Sequence, residues 1–254
     1  MRYLLAIPVY NEVTTLSGIL ETVRPHASDI LIIDDGSTDG TSNLVAEAAD
    51  VHTLVHRVNR GYGQSLIDAF HWAGQHGYEW IITMDCDGQH DPRQIADFVR
   101  AADRNRADII SGSRYLMPME GNTAAPADRR ALNQRITGLL NELLGLSITD
   151  AFCGFKAYRV SALEALRLTV PGYGMPLQLW VQAVMAGLRI LEIPVRLIYT
   201  DPDRSFGESM DDPDTRLLYY YEVLLYELAS SLSTRTPPDC PGLRVGVHDA
   251  EPQS

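Results

Sequence analysis

The chain has few cysteines, a shortage of basic residues and no long apolar run. Cys86, Cys153 and Cys240 are far apart, so they match neither a zinc-finger spacing nor a disulfide framework, and we expect a reducing compartment. Lysine and arginine total 21 against 33 acidic residues, a formal net charge of −12 that disfavours non-specific nucleic-acid binding. No apolar stretch reaches about 18 residues and no signal peptide is visible. A soluble, acidic, cytoplasmic protein without a membrane-spanning helix is therefore predicted.

What is present is ordinary globular composition. Hydrophobic residues make up 45% of the 254 positions and charged residues 21%, which excludes wholesale disorder. This length suits one large domain or two small ones. Periodicity stops at Thr234, where proline and glycine become dense. We therefore predict a single domain over 1–233 and a disordered tail over 234–254.

Short apolar runs alternate with amphipathic segments through the N-terminal half. This alternation is typical of βαβ units on a parallel sheet, so the chain is predicted to be an α/β protein. Asp39 and Asp91 are predicted helix N-caps. The predicted strands are 3–9, 30–33, 53–55, 80–84 and 108–112. The predicted helices between them are 14–24, 39–49, 62–76 and 92–105.

The C-terminal half has a different character. Residues 114–130 are polar and are predicted to form a mobile loop of functional length. An acidic loop over 199–214 holds Arg204. The remaining predictions are helices at 131–145, 175–186 and 215–232 and strands at 157–160 and 191–198.

Acidic side chains follow buried strands at several points. Asp85 and Asp87 come directly after the strand that ends at Met84. Two carboxylates one residue apart can reach a common cation, and their hard oxygens suit Mg²⁺ or Mn²⁺. The alternative is a loop with two solvated acids, since short motifs of this kind occur often by chance.

Polar residues also follow the first two strands, at 8–12 and 34–37. Their alternative interpretation is a set of turns and helix starts. Because ligands bind at the carboxyl ends of strands in open α/β sheets, the three segments together predict a nucleotide pocket with a divalent cation. The first strand is not followed by a glycine-rich turn, which disfavours a dinucleotide-dependent oxidoreductase.

The sequence resembles the family 2 glycosyltransferases over about residues 3–210. The motifs that carry the resemblance are Pro-Val-Tyr-Asn-Glu at 8–12, Asp-Asp-Gly-Ser-Thr-Asp-Gly-Thr at 34–41, Met-Asp-Cys-Asp-Gly-Gln-His at 84–90 and Gly-Ser-Arg-Tyr at 112–115. The segments 150–156 and 204–209 are similar to the dolichol-phosphate mannosyltransferase-like and polyprenyl-phosphate subgroup. The resemblance implies a GT-A fold with a mixed, mostly parallel sheet, a nucleotide-diphosphate sugar donor and an inverting transfer.

The resemblance also implies roles at the donor site. Asp85 and Asp87 would bind Mg²⁺ or Mn²⁺, with Asp87 the more direct ligand, and Gln89 would join them. Asp85 is also placed among the donor nucleotide-binding residues. The other nucleotide-binding residues implied are Pro8, Tyr10, Glu12 and either Asp34 or Asp35.

The resemblance implies that Arg114, Arg204 and Ser209 bind phosphate, and that Arg114 and Arg204 also take part in the catalytic step. An arginine fork suits phosphate, although a surface charge is the alternative for each arginine. Asp150 is the candidate for acid–base work if the acceptor is a hydroxyl. If the acceptor is a lipid phosphate, its oxygen is already anionic, and Asp150 would orient the acceptor or the metal. A plain turn residue is the other alternative.

The mannosyltransferase pattern has a lysine where this chain has Met210. The predicted function is transfer of the sugar to a polyprenyl phosphate. The alternatives are transfer to a soluble hydroxyl or glycan, which Met210 favours, and a non-catalytic nucleotide-sugar-binding regulatory module. The tyrosine-rich helix at 215–232 is expected to pack on the sheet or in a homodimer interface. Its alternative is a peripheral contact with the inner face of the membrane.

Overall fold

The computed structural model describes residues 1–199 and 210–233. Its strands are β1 (Tyr3–Val9), β2 (Ile30–Asp34), β3 (His52–Val55), β4 (Trp80–Thr83), β5 (Ile109–Ser113), β6 (Lys156–Arg159) and β7 (Ile190–Pro194). Its α-helices are α1 (Leu16–Val23), α2 (Thr41–Glu47), α3 (Tyr62–Gln75), α4 (Ile95–Asp103), α5 (Ala127–Leu144), α6 (Val160–Leu163), α7 (Met175–Met185) and α8 (Pro213–Ser233). Arg204, Ser209 and the predicted tail lie outside the described residues.

The strands form one seven-stranded sheet in the order β3-β2-β1-β4-β6-β5-β7. All neighbouring pairs are parallel except those of β6, which runs antiparallel to β4 and β5. Val9 pairs with Asp34, so the loops after β1 and β2 leave the same edge of the sheet. The predicted mixed, mostly parallel α/β sheet is confirmed.

Both faces of the sheet are buried, which explains why the strands are almost continuously apolar. Along β1, Leu4 and Ala6 pack in the layer that contains α3, α5, α7 and α8. The intervening residues, Leu5 and Ile7, pack in the opposite layer with α1, α2 and α4. All four side chains are fully buried. Across residues 1–199 and 210–233, every helix is too short or too polar to cross a bilayer.

Helix starts follow local capping chemistry. The predicted helix at 92–105 divides into a 3₁₀ turn (Pro92–Gln94) and α4, and Asp91 caps it by accepting a hydrogen bond from the amide of Arg93 at 3.1 Å. For α2, the N-cap is Gly40, with φ +102°, rather than the predicted Asp39. The Asp39 carboxylate still accepts from the Thr41 amide at 2.9 Å, so it satisfies a helix donor from one residue earlier.

The predicted mobile loop at 114–130 is shorter and better anchored than expected. Helix α5 begins at Ala127, four residues before the predicted start. The amide of Thr123 donates to the carbonyl of Leu197 at 2.8 Å, and the amide of Leu197 donates to the side chain of Asn122 at 3.0 Å. The predicted strand at 191–198 ends earlier, at Pro194, where its pairing with β5 ends opposite Ser113.

Candidate active site

A cavity of about 550 Å³ opens at the carboxyl ends of β1, β2 and β4. The residues predicted for the site that line it are Pro8, Tyr10, Glu12, Asp35, Asp85, Asp87, Gln89 and Arg114. Loops after three neighbouring strands and the loop after β5 therefore converge on one space. This convergence was predicted because parallel strands end at a common edge.

The loops after β1 and β2 are tied together. The amide of Asn11 donates to Ser37 Oγ at 3.0 Å, and the side-chain oxygen of Asn11 accepts from the amide of Thr38 at 2.8 Å. Asn11 has a φ of +57°, a left-handed conformation that asparagine tolerates better than most residues. These two hydrogen bonds fix the residue next to Tyr10, whose side chain is 46% exposed and lines the cavity.

Of the two adjacent acids after β2, only Asp35 lines the cavity. Asp34 is fully buried and accepts hydrogen bonds from the Ser37 amide at 3.0 Å and from the Ser42 hydroxyl. It therefore organises the turn into α2, which was the alternative interpretation of this motif. Of the two candidate nucleotide-binding acids, Asp35 is therefore the one that could contact a ligand in the cavity.

A hydrogen-bonded network holds the Asp35 carboxylate. Its Oδ1 lies 2.6 Å from Nδ1 of His56 and accepts from the Arg60 amide at 2.8 Å, and its Oδ2 accepts from the Gly61 amide at 2.8 Å. The other ring nitrogen of His56 lies 3.0 Å from Oδ2 of Asp68 on α3. No local sequence pattern indicates this role for His56, because its partners are 12 and 21 residues away.

Asp85 is held from two sides. The hydroxyl of Tyr62 donates to Oδ1 at 3.0 Å, and Nε2 of His90 lies 3.2 Å from Oδ2. Burial, followed by the negative charge of Asp85, raises the pKa of Tyr62 well above its usual value, so this hydroxyl keeps its proton. Gly154 lies against the carboxylate: a Cβ there would come within 2.7 Å of Oδ1. Only glycine leaves room for Asp85 in this position.

Asp87 and Gln89 form a tight turn beside Asp85. Oδ1 of Asp87 accepts from the Gln89 amide at 2.9 Å. Within the described ranges, no three His, Cys, Asp or Glu side chains cluster as a metal site would require. Two carboxylates and a carboxamide oxygen are nevertheless the hard ligands that Mg²⁺ and Mn²⁺ prefer. This donor set fits a divalent cation of that kind.

Basic side chains also line the cavity. Arg114 makes a two-pronged ion pair with Asp150, from Nε to Oδ2 at 2.7 Å and from Nη2 to Oδ1 at 2.9 Å. Asn133 on α5 donates to the same carboxylate at 2.7 Å. Burial alone would raise the pKa of Asp150, but the charge and hydrogen bonds of Arg114 and the bond from Asn133 lower it to about 2.

Asp150 is fully buried and is not among the residues that line the cavity. It lies beneath Arg114, whose guanidinium it orients. This position offers no direct path for proton transfer to a bound acceptor.

Two cavity-lining arginines were missed by the sequence analysis. Arg129 comes from α5, and Arg216 comes from α8, whose Tyr220 lies one turn further along and also lines the cavity. The Arg216 side chain is 3% exposed, and its Nη1 donates to the carbonyl of Met210 at 3.2 Å. Helical position alone does not reveal that a residue faces a pocket formed by strands far away in the sequence.

The sheet order, the acids at three strand ends and the arginines facing them define the GT-A class of nucleotide-diphospho-sugar transferases. The chain matches the model of the glycosyl transferase family 2 over residues 5–167. It therefore belongs to this family and is a glycosyltransferase. Arg129 lies inside the matched region, whereas Arg216 lies beyond it.

Known proteins agree with this assignment. The chain is 33% identical over 218 residues to the undecaprenyl-phosphate mannosyltransferase of Micrococcus luteus. The aligned region covers 82% of this chain and 87% of that protein. The chain is 34% identical over 221 residues to the polyprenol monophosphomannose synthase of Mycolicibacterium smegmatis, with 82% and 80% coverage. In fold, it is similar to glucosyl-3-phosphoglycerate synthase from Mycobacterium tuberculosis, solved with Mn²⁺, UDP-glucose and phosphoglyceric acid. That match has a TM-score of 0.65 at 17% identity and covers 90% of this chain and 80% of the other.

Proposed function

We propose that the protein transfers a sugar from a nucleotide-diphosphate sugar to a polyprenyl phosphate at a membrane surface. The observation that carries the proposal is the presence of both charges in one cavity. Acids from the loops after β1, β2 and β4 line it together with Arg114, Arg129 and Arg216. The two relatives above, named for undecaprenyl phosphate and polyprenol, support a lipid acceptor.

The donor would lie against the strand ends. Pro8, Tyr10 and Glu12 would contact the base and ribose, and the fixed Asp35 carboxylate would accept a hydrogen bond from the nucleoside. Asp85 would contact the nucleoside and, together with Asp87 and Gln89, would hold Mg²⁺ or Mn²⁺. When bound, the cation supplies positive charge to the diphosphate as it departs.

The acceptor phosphate would lie beside the arginines, for which a guanidinium fork is well shaped. A phosphate oxygen attacks the anomeric carbon from the face opposite the nucleoside diphosphate. The new carbon–oxygen bond forms as the bond to the diphosphate breaks, and the diphosphate leaves with the electron pair. The configuration at carbon is inverted.

The attacking phosphate oxygen is already ionised near neutral pH, so the step needs no base. This suits the burial of Asp150, which we assign to positioning Arg114 through its two-pronged ion pair. Most of the rate would then come from alignment and from charge stabilisation of the leaving group. Arg204 and Ser209 remain proposed phosphate ligands outside the described residues.

A purified protein supplied with radiolabelled UDP-, GDP- or dTDP-sugars, Mn²⁺ and a short polyprenyl phosphate tests the proposal. We expect label to enter an organic-extractable product with one donor base and to depend on the acceptor. A parallel arm offers glycerol and free sugars, because Met210 in place of lysine favours a soluble hydroxyl acceptor. Product in that arm alone would overturn the lipid acceptor while keeping the donor chemistry.

A further inference from the structure

A second cavity lies beside the first and shares two lining residues with it, Arg114 and Tyr115. Its volume is about 330 Å³, which lies within the range of small-ligand sites. Its other walls come from the 114–126 loop, the start of α5 and the chain beyond β7. The two cavities therefore meet at the arginine to which the acceptor phosphate is assigned above.

The walls of this second cavity are largely apolar. Met117, Ala125 and Leu197 line it. Met117 is 53% exposed, and its neighbour Leu116 is 41% exposed, so apolar surface continues from the cavity to the outside of the molecule. Hydrogen bonds between residues 122–123 and 197–199 hold these walls together: one joins two backbone groups, and two run from backbone amides to the side chains of Asn122 and Thr123.

Besides the shared Arg114, a second arginine lines this apolar space. Arg130, one position after the cavity-lining Arg129, lines the second cavity and packs its guanidinium 3.4 Å above the ring of Tyr115. Its Nη1 is buried and has no hydrogen-bond partner among the described residues. A buried donor of this kind is costly unless an acceptor satisfies it. A basic end and an apolar wall together match an amphiphile with an anionic head.

We propose that the second cavity binds the first isoprene units of the acceptor, with the phosphate placed between Arg114 and Arg130. This inference rests on the proposed function, because it assumes that the acceptor is a prenyl phosphate. The occupant follows from charge complementarity and from the continuity of the cavity with the reaction site. The chain would then leave over Met117 and Leu116 toward a lipid surface.

Steady-state transfer to dimethylallyl phosphate, with one isoprene unit, and to farnesyl phosphate, with three, tests the proposal. We expect the wild-type KM for farnesyl phosphate to be lower by about tenfold or more, since apolar contacts of this size discriminate to that extent. Ala125→Phe fills the cavity and should remove the preference, because it should raise the KM for farnesyl phosphate more than the KM for dimethylallyl phosphate. Ala124→Phe is the matched control, because the neighbouring Ala124 is exposed and does not line the cavity.

If Ala125→Phe does not fold, Met117→Gln at a half-exposed position tests the same wall. An equal KM for both acceptors in the wild type, or a preference that survives either wall variant, would overturn the inference. Thermal shifts with the two phosphates alone, without nucleotide, separate this result from failure of the proposed function. A larger rise in Tm with farnesyl phosphate that disappears in Ala125→Phe would support the cavity assignment even if no sugar is transferred. If this pattern is absent, the cavity assignment is wrong.

Discussion

At the scale of single residues, charged side chains in this protein divide into those that face the cavity and those that support them. Asp35, Asp85, Asp87 and Arg114 line the cavity. Asp150 is buried behind Arg114, and His56 lies behind Asp35. Supporting groups hold the first set in one arrangement before a ligand binds, which lowers the reorganisation required on binding.

Asp87→Asn tests the metal assignment. We expect wild-type protein with its donor and Mn²⁺ to gain about 2.7 kcal/mol of stability at a donor concentration of 100 times Kd. The variant should lose this Mn²⁺-dependent rise in Tm, because an amide oxygen binds the cation more weakly than a carboxylate. Asp103→Asn, at an exposed position on α4, is the control and should keep the full rise. An undiminished shift in Asp87→Asn would refute the role of Asp87.

Asp150→Asn tests the buried ion pair. At neutral pH we expect a loss of about 3–5 kcal/mol, because the variant leaves the Arg114 guanidinium buried without its counter-charge. The Asp150 pKa falls from 3.8 to about 2 on folding, so its ionised form stabilises the protein above about pH 4. That stability is lost as the pH falls through 2.

Urea unfolding of both proteins across pH 2–7 measures this effect. The gap in unfolding free energy between wild type and Asp150→Asn should be constant from pH 5 to 7 and should shrink between about pH 4 and pH 2. A gap that is the same at pH 2 and pH 7 would show that the variant acts through packing rather than through the charge.

At the scale of elements, the start of α3 packs closely against the backbone of the segment before α7. A Cβ added at Gly63 would lie 2.7 Å from the Gly172 carbonyl oxygen and 2.7 Å from the Met175 side chain. Tyr62, which holds Asp85, is the adjacent residue at the start of α3. The packing of this helix therefore sets the position of a cavity carboxylate.

Gly63→Ala should destabilise the protein by about 1–3 kcal/mol, because the neighbouring atoms are backbone and cannot easily move. Gly138→Ala is the matched control: it lies in the exposed interior of α5, with no atom within 4 Å of the added methyl group. There the substitution should stabilise by about 0.5–1 kcal/mol through helix propensity. Denaturant melts of the two variants check the opposite signs, and two equal effects would contradict the packing argument.

At the scale of the whole molecule, net charge and acceptor chemistry act in opposite directions at a lipid surface. The chain carries a formal charge of −12, which repels anionic lipid. The proposed acceptor phosphate, by contrast, is matched by a local group of arginines. We therefore expect membrane association to depend on the amount of acceptor phosphate in the bilayer rather than on the bilayer's overall charge.

Vesicle flotation measures this directly. We expect the protein to float with phosphatidylcholine vesicles that contain a small fraction of polyprenyl phosphate, and not with vesicles in which phosphatidylglycerol supplies the same negative charge. Raising the salt should weaken any residual difference that arises from repulsion. Equal flotation with both compositions would contradict recognition of the acceptor.

The sequence by itself determined the local features. Apolar runs that alternate with amphipathic segments located the strands and most helices. They could do so because hydrophobic periodicity depends only on residues that are close together in the sequence. They also placed Asp85 and Asp87 at a strand end. The four-residue helix α6 was missed, since it is too short to show a period.

Tertiary structure alone decided which side chains face the cavity. It turned Asp35 toward the pocket and Asp34 into the turn, buried Asp150 beneath Arg114, and brought Arg216 from α8 to the same space. These outcomes depend on contacts between segments many residues apart, and a local pattern contains no information about them. The strand-end acids and Arg114 could therefore be predicted from the sequence, whereas Arg129 and Arg216 line the cavity only because α5 and α8 pack beside it.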